Sequence, residues 1–246
     1  MRERIDVLLA ESEATLPDLL QKAQPPATDE RGGFTSLLSR EYEFLAVARY
    51  CAHGDVNAFF DGLRITVETS LRLFRRHNAG EAIPGSYVAM TAGTHLVLLA
   101  LAVGDRALVD EVASVVGGRA ALERDHDHPW DRSLGYALKA IWMGTDPGDH
   151  LEQFRRRCVK ADIGIHTILS GICEWDPERV RDGFEQALKG HRRLSSVGGR
   201  WALTPQELVF LWGLGLLNLA RAKGVPVEVE SDMMPAELQR PMGMTA

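Results

Sequence analysis

The densest run of groups able to do chemistry is Glu123-Arg124-Asp125-His126-Asp127-His128-Pro129-Trp130-Asp131-Arg132, which holds two imidazoles and three aspartates within seven residues. Imidazoles and carboxylates bind metals and carry protons, so one reading is a metal-dependent helical hydrolase using His126 and His128. The spacing speaks against it. Two histidines two apart do not share a helical face, and an H-x-H pair needs an extended strand or distant further ligands to close a site. A polar loop between two helices, capping the second, is the simpler account. As a partner-facing loop it offers Asp127, Trp130 and Asp131 as binding residues; as a plain connector it offers none. The run implies no metal and no cofactor.

Other candidates are thinner. His95 and His166 sit inside apolar helical stretches, and either could act as a base if the fold brought Glu174 or Asp176 beside it. Neither has a nucleophile motif, so a satisfied interior histidine is the better reading. Ser170, Ser195 and Ser196 lack a G-x-S-x-G setting with a preceding strand. Gly117-Gly118 and Gly198-Gly199 follow no strand and lead to no Lys-Ser or Lys-Thr, so they read as breakers and not phosphate loops. Of the tryptophans, Trp142 and Trp212 fall on helical core stripes, whereas Trp130, Trp175 and Trp201 stand at helix ends and loops, where an aromatic can anchor a partner.

The elements that must position these groups are helical. Phe34, Leu37, Leu38, Tyr42, Leu45 and Ala48 keep helical spacing, as do Val56, Phe59, Phe60, Leu63, Val67, Leu71 and Phe74 beyond Gly54-Asp55. A glycine suits the left-handed residue that closes a helix, and an aspartate accepts from the open amides of the next. The same grammar recurs at Gly104-Asp105, after the apolar helix expected over 86–103, and at Gly144-Thr145-Asp146-Pro147. It recurs at Asp176-Pro177 without the glycine. Thr204-Pro205-Gln206-Glu207 reads as a capping box opening a last buried helix through Leu208, Leu211, Trp212, Leu216 and Leu219. Gly213 and Gly215 inside that helix suggest close approach of a neighbour.

Val225-Pro226-Val227-Glu228-Val229-Glu230 is the one alternating, strand-like segment, and its proline makes it an edge piece at best. The fold expected is all-α: stacked helical hairpins, a divergent tetratricopeptide-like array with turns about 50, 42 and 30 residues apart. Residues 1–33 read as an N-terminal segment of one or two short helices followed by linker chemistry from Gln24 to Gly33. Residues 34–246 read as a single all-helical domain.

Composition bounds the function. The chain has 246 residues, 45% apolar and 25% charged, enough to bury a large core. A net charge of −6 argues against a nucleic-acid binder, which needs a basic stripe to neutralise phosphates. The clusters Arg75-Arg76-His77, Arg155-Arg156-Arg157 and His191-Arg192-Arg193 lie near helix ends, where cations meet the negative pole of the dipole. Cys51, Cys158 and Cys173 show no C-x-x-C spacing and read as buried thiols in a reducing compartment. The apolar stretches 87–103 and 208–220 fall short of a spanning helix, so no membrane partner and a cytoplasmic location are expected.

The C-terminal third resembles the immunity protein 49 family of polymorphic-toxin immunity proteins. The likeness rests on Asp176-Pro177-Glu178 opening a helix through Phe184-Glu185-Gln186-Ala187-Leu188 to His191-Arg192-Arg193. It continues with Leu217-Asn218-Leu219-Ala220-Arg221-Ala222-Lys223-Gly224 and with Val227-Glu228-Val229-Glu230-Ser231-Asp232-Met233-Met234-Pro235-Ala236-Glu237-Leu238. It covers about 65 residues well and 34–105 loosely. The resemblance implies an all-helical, non-enzymatic cytoplasmic antitoxin that binds a cognate toxin; the acidic balance suits a basic toxin domain. It transfers no toxin-contacting residue. The competing expectation is a helical-repeat scaffold or regulator with no toxin partner.

Overall fold

The structure is a computed structural model describing residues 2–24, 28–202 and 204–243; Pro25, Pro26 and Ala27 of the expected linker lie outside the described residues. The described residues form α1 (Arg2–Lys22), α2 (Gly33–His53), α3 (Val56–Asn78), α4 (Met90–Val103), α5 (Arg106–Val115) and α6 (Ala120–His126). They continue with α7 (Pro129–Met143), α8 (Gly148–Arg157), α9 (Ile163–Glu174), α10 (Pro177–Leu194) and α11 (Leu211–Ala222). Among the described residues there is no strand, only an isolated bridge between Ser231 and Met234. The fold is all-α.

The turn grammar works as its residues dictate. Gly54, Gly104 and Gly144 close α2, α4 and α7 in the left-handed region, at φ 68°, 78° and 72°. Asp55 accepts from the Ala58 amide and Asp105 from the Leu108 amide, each satisfying a donor at the start of the next helix. Asp176 does the same for Arg179, with Pro177 in the first turn.

The core is organised around α4, whose residues from Leu96 to Val103 are all buried. It packs against α3, α5, α7 and α11, while α9 pairs closely with α10 and α2 with α3. The last helix therefore returns to the middle of the chain, which closes the bundle; in an open array each hairpin would touch only its neighbours. Gly215 makes this return possible, since a Cβ there would overlap the Leu98 carbonyl. Asn218, buried on α11, donates its amide to the Leu101 carbonyl at 2.8 Å. The stretch Gly85–Val103 is long and apolar enough by composition to cross a membrane, but 72% of it is buried inside the fold.

Several expectations are corrected. Residues 2–22 are one helix that runs through Pro17, because Ile5 and Leu9 pack with Leu45 and Ala48 of α2 while Leu16 rests on the same cluster. The end of the expected linker is tied down. Asp29 is buried and accepts from the Phe34 and Thr35 amides, and Arg76 donates to the carbonyls of Asp29 and Glu30. The helix expected from 204 begins instead at Leu211. Residues 205–207 form a 3-10 turn, with the Thr204 hydroxyl donating to the Trp201 carbonyl rather than capping a helix. The helix expected over 86–103 likewise starts at Met90, after a 3-10 turn. Cys173, expected buried, is exposed.

Val225, Val227 and Val229 are buried while Pro226, Glu228 and Glu230 face out, so the alternation marks an extended segment with no ladder partner among the described residues.

Candidate functional site

The run expected as a polar loop is mostly helix: α6 ends at His126, α7 begins at Pro129, and only Asp127 and His128 lie between. The Asp127 carboxylate accepts from the Met90 amide at 2.9 Å and the Thr91 amide at 2.8 Å. It thereby caps α4, whose own N-cap residue, Ala89, has no acceptor. The two imidazoles do separate work: the His126 ring packs over Gly85, and His128 caps α7 by accepting from the Trp130 amide. Among the described residues no group of three or more His, Cys, Asp or Glu side chains is placed to hold a metal. Trp130 is buried and packs near Phe154, with ring centroids 6.1 Å apart.

Asp131 differs from both. It is half-buried in the first turn of α7, and among the described residues nothing donates to its carboxylate. Burial pushes its pKa from 3.8 up to about 6; Asp162 and Asp127 add to the rise, while Arg200 and His128 oppose it. The Arg200 guanidinium lies 5.2 Å from the Trp130 ring and 5.7 Å from each of Trp201 and Trp212, and donates to Asp162 at 3.3 Å. This aromatic cage holds the segment after α10 against α7 and α11.

A second polar cluster joins α2, α4 and α11. Trp212 Nε1 donates to His95 Nδ1 at 3.0 Å, His95 Nε2 meets Glu43 Oε2 at 2.8 Å, and Gln206 Nε2 donates to Glu43 Oε1 at 2.6 Å. Because an indole only donates, Nδ1 is the acceptor and Nε2 carries the proton. Burial, the largest influence on each group, penalises both charges, but the contact offsets it: His95 and Gln206 hold Glu43 below the usual carboxylate range, and Glu43 raises His95. The histidine is thus satisfied, and its partner is neither Glu174, which pairs with Arg179, nor Asp176, which caps α10. His95 and Glu43 border a cavity of about 360 Å³.

The third feature is Trp175. It closes α9 in the left-handed region at φ 57°, the one non-glycine there among the described residues, and it is 64% exposed. Gly54 and Gly104 occupy the equivalent place before Asp55 and Asp105, so an indole stands where the other hairpins use glycine. A left-handed conformation costs a residue with a Cβ about 1–2 kcal/mol, and an indole left 64% exposed recovers little of it by burial. The six-membered edge of its ring lies beside Gly224, whose neighbour Lys223 donates to the Trp142 carbonyl at 2.9 Å. Met143, 58% exposed, follows Trp142 directly. Asp146, Glu174 and Lys223 all act on the Cys173 thiol. The chain here therefore exposes two large apolar side chains, with Asp146, Glu174, Arg179 and Lys223 among the charged groups of the same region.

The sequence reading named Trp175 beside Trp130 and Trp201 as a possible anchor but placed its binding residues at Asp127, Trp130 and Asp131. The signal was the missing glycine in the fourth hairpin turn. The Glu43–His95 contact had no such signal, since its members lie 52 residues apart.

No protein-family model, curated protein or solved structure matches the chain.

Proposed function

We propose that this chain is a non-enzymatic immunity protein that binds a cognate toxin domain and blocks it, with Trp175 as an anchor of the contact. Trp175 carries the reading: a strained, exposed indole is retained where glycine would serve the turn, and strain of this kind clusters at functional positions. Aromatic anchors beside charged groups dominate binding energy in protein interfaces. The net charge of −6 suits a basic toxin surface. The resemblance to immunity protein 49 begins at Asp176, the next residue. The groups that invited a catalytic reading are occupied, with Asp127 and Asp176 capping helices and His95 held between Glu43 and Trp212.

The test is co-expression with the toxin domain encoded beside this chain. Growth rescue and a stable complex are expected, and absence of both removes the immunity reading. Trp175→Ala should weaken the complex by about 2 kcal/mol, roughly 30-fold in Kd. A variant that binds as tightly as the parent would leave the immunity reading standing and discard Trp175 as its anchor.

A further inference from the structure

The cavity beside His95 has a chemistry that the protein-binding reading does not use. Ser36, Arg40 and Glu43 line it from α2, and Thr91 and His95 line it from α4; Ser36 with Arg40 and Thr91 with His95 are four apart, so each helix presents a polar row to the same space. Ser86, Tyr87 and Trp201 also line it. Its volume, about 360 Å³, lies at the lower end of the range for small-molecule sites.

What decides the ligand class is which groups remain unspent. Both oxygens of Glu43, the only carboxylate among the described lining residues, are taken by His95 and Gln206, and both ring nitrogens of His95 are taken by Glu43 and Trp212. Ser39 and Ser70 are bonded to each other, and Ser39 also reaches the Thr66 carbonyl. The start of α4 is unavailable too, because Asp127 caps it. By contrast, among the described residues no hydrogen bond or ion pair engages the exposed Arg40 guanidinium, the exposed Ser86 and Thr91 hydroxyls or the half-buried Ser36 and Tyr87 hydroxyls, and Arg40 bears on Glu43 and His95 through its charge alone. An arginine at the exposed rim of the cavity, with five N–H donors and hydroxyls beside it and with Glu43 already bonded to His95 and Gln206, is a donor set that recognises an anion. The space left over exceeds that of a bare ion.

We propose that this cavity binds a small organic anion, its carboxylate or phosphate head on Arg40, Ser36, Ser86 and Thr91 and its apolar body between Tyr87 and Trp201. The proposal stands apart from the toxin-binding reading, and either can fail alone.

Phenyl phosphate, benzoate and neutral benzyl alcohol test it, titrated into the full chain by calorimetry. At least one of the two anions is expected to saturate a single site while benzyl alcohol does not, and the tighter anion identifies the head group. Arg40→Gln should weaken that binding about 10-fold or more, with the circular dichroism spectrum unchanged because Arg40 is exposed and makes no hydrogen bond or ion pair among the described residues. Thr91→Val is a second variant with the same readout and a smaller loss. No saturation by either anion up to about 10 mM, equal binding of benzyl alcohol, or undiminished binding by a folded Arg40→Gln would each overturn the proposal.

Discussion

Replacing Asp131 with asparagine is expected to stabilise the protein at neutral pH, by an amount that disappears in acid. The Asp131 carboxylate receives no hydrogen bond among the described residues, and burial pushes its pKa from 3.8 up to about 6. A folded-state value above the unfolded one means that the native state holds the proton more tightly. That stabilisation is fully present below about pH 4 and is lost as the pH rises through 6. The rise sets a ceiling of about 3 kcal/mol. Asp131 is only half-buried, so solvent screening lowers the figure to about 1–2 kcal/mol. Asparagine also forgoes a few tenths to 1 kcal/mol of favourable charge at the start of α7, which leaves a net gain of about 1 kcal/mol. For a chain of this size that is about 2–4 °C in Tm. Urea unfolding of parent and Asp131→Asn, followed by circular dichroism from about pH 4 to 8, measures it. An asparagine variant less stable than the parent at neutral pH would refute the reasoning, as would a difference that stays constant across the range.

Asp127→Ala removes two hydrogen bonds from the open end of α4 and should cost about 1–2 kcal/mol in denaturant unfolding, while Asp125→Ala, two residues away and exposed, should stay within about 0.5 kcal/mol of the parent. Gly215→Ala pushes a methyl group into the Leu98 carbonyl and should cost about 1–3 kcal/mol by the same measurement, despite the better helix propensity of alanine.

What the sequence made legible were features written in neighbouring residues. Gly54-Asp55 and Gly104-Asp105 contain both halves of their turns, so the hairpins could be read directly, and the apolar rows named the core. Where a local signal competed with a tertiary one, the reading failed. Thr204 and Glu207 have the spacing of a capping box, yet residues 205–207 tighten into a 3-10 turn whose Gln206 serves Glu43 and His191. Asp127 looked like an exposed loop acid because the helix it caps begins 37 residues earlier. Trp130 stands at a helix start, where polarity suggests a surface, and is buried because α7 turns that face towards Phe154. The cavity at His95 is assembled from four separate stretches, so no window of sequence could display it.

Asn218 bears on a problem peculiar to greasy helices. α4 and α11 are apolar around most of their circumference, and two such cylinders have little to stop one from sliding along the other by a turn, about 5.4 Å. Leucine side chains fit many such offsets almost equally well. One amide nitrogen does not: it reaches the Leu101 oxygen at a single offset, and at any other that donor would join the amide's own oxygen, which is buried with no partner among the described residues, at a cost of about 1–3 kcal/mol. Asn218 thus acts as a detent, trading some burial energy for a unique seating of the helix that closes the bundle.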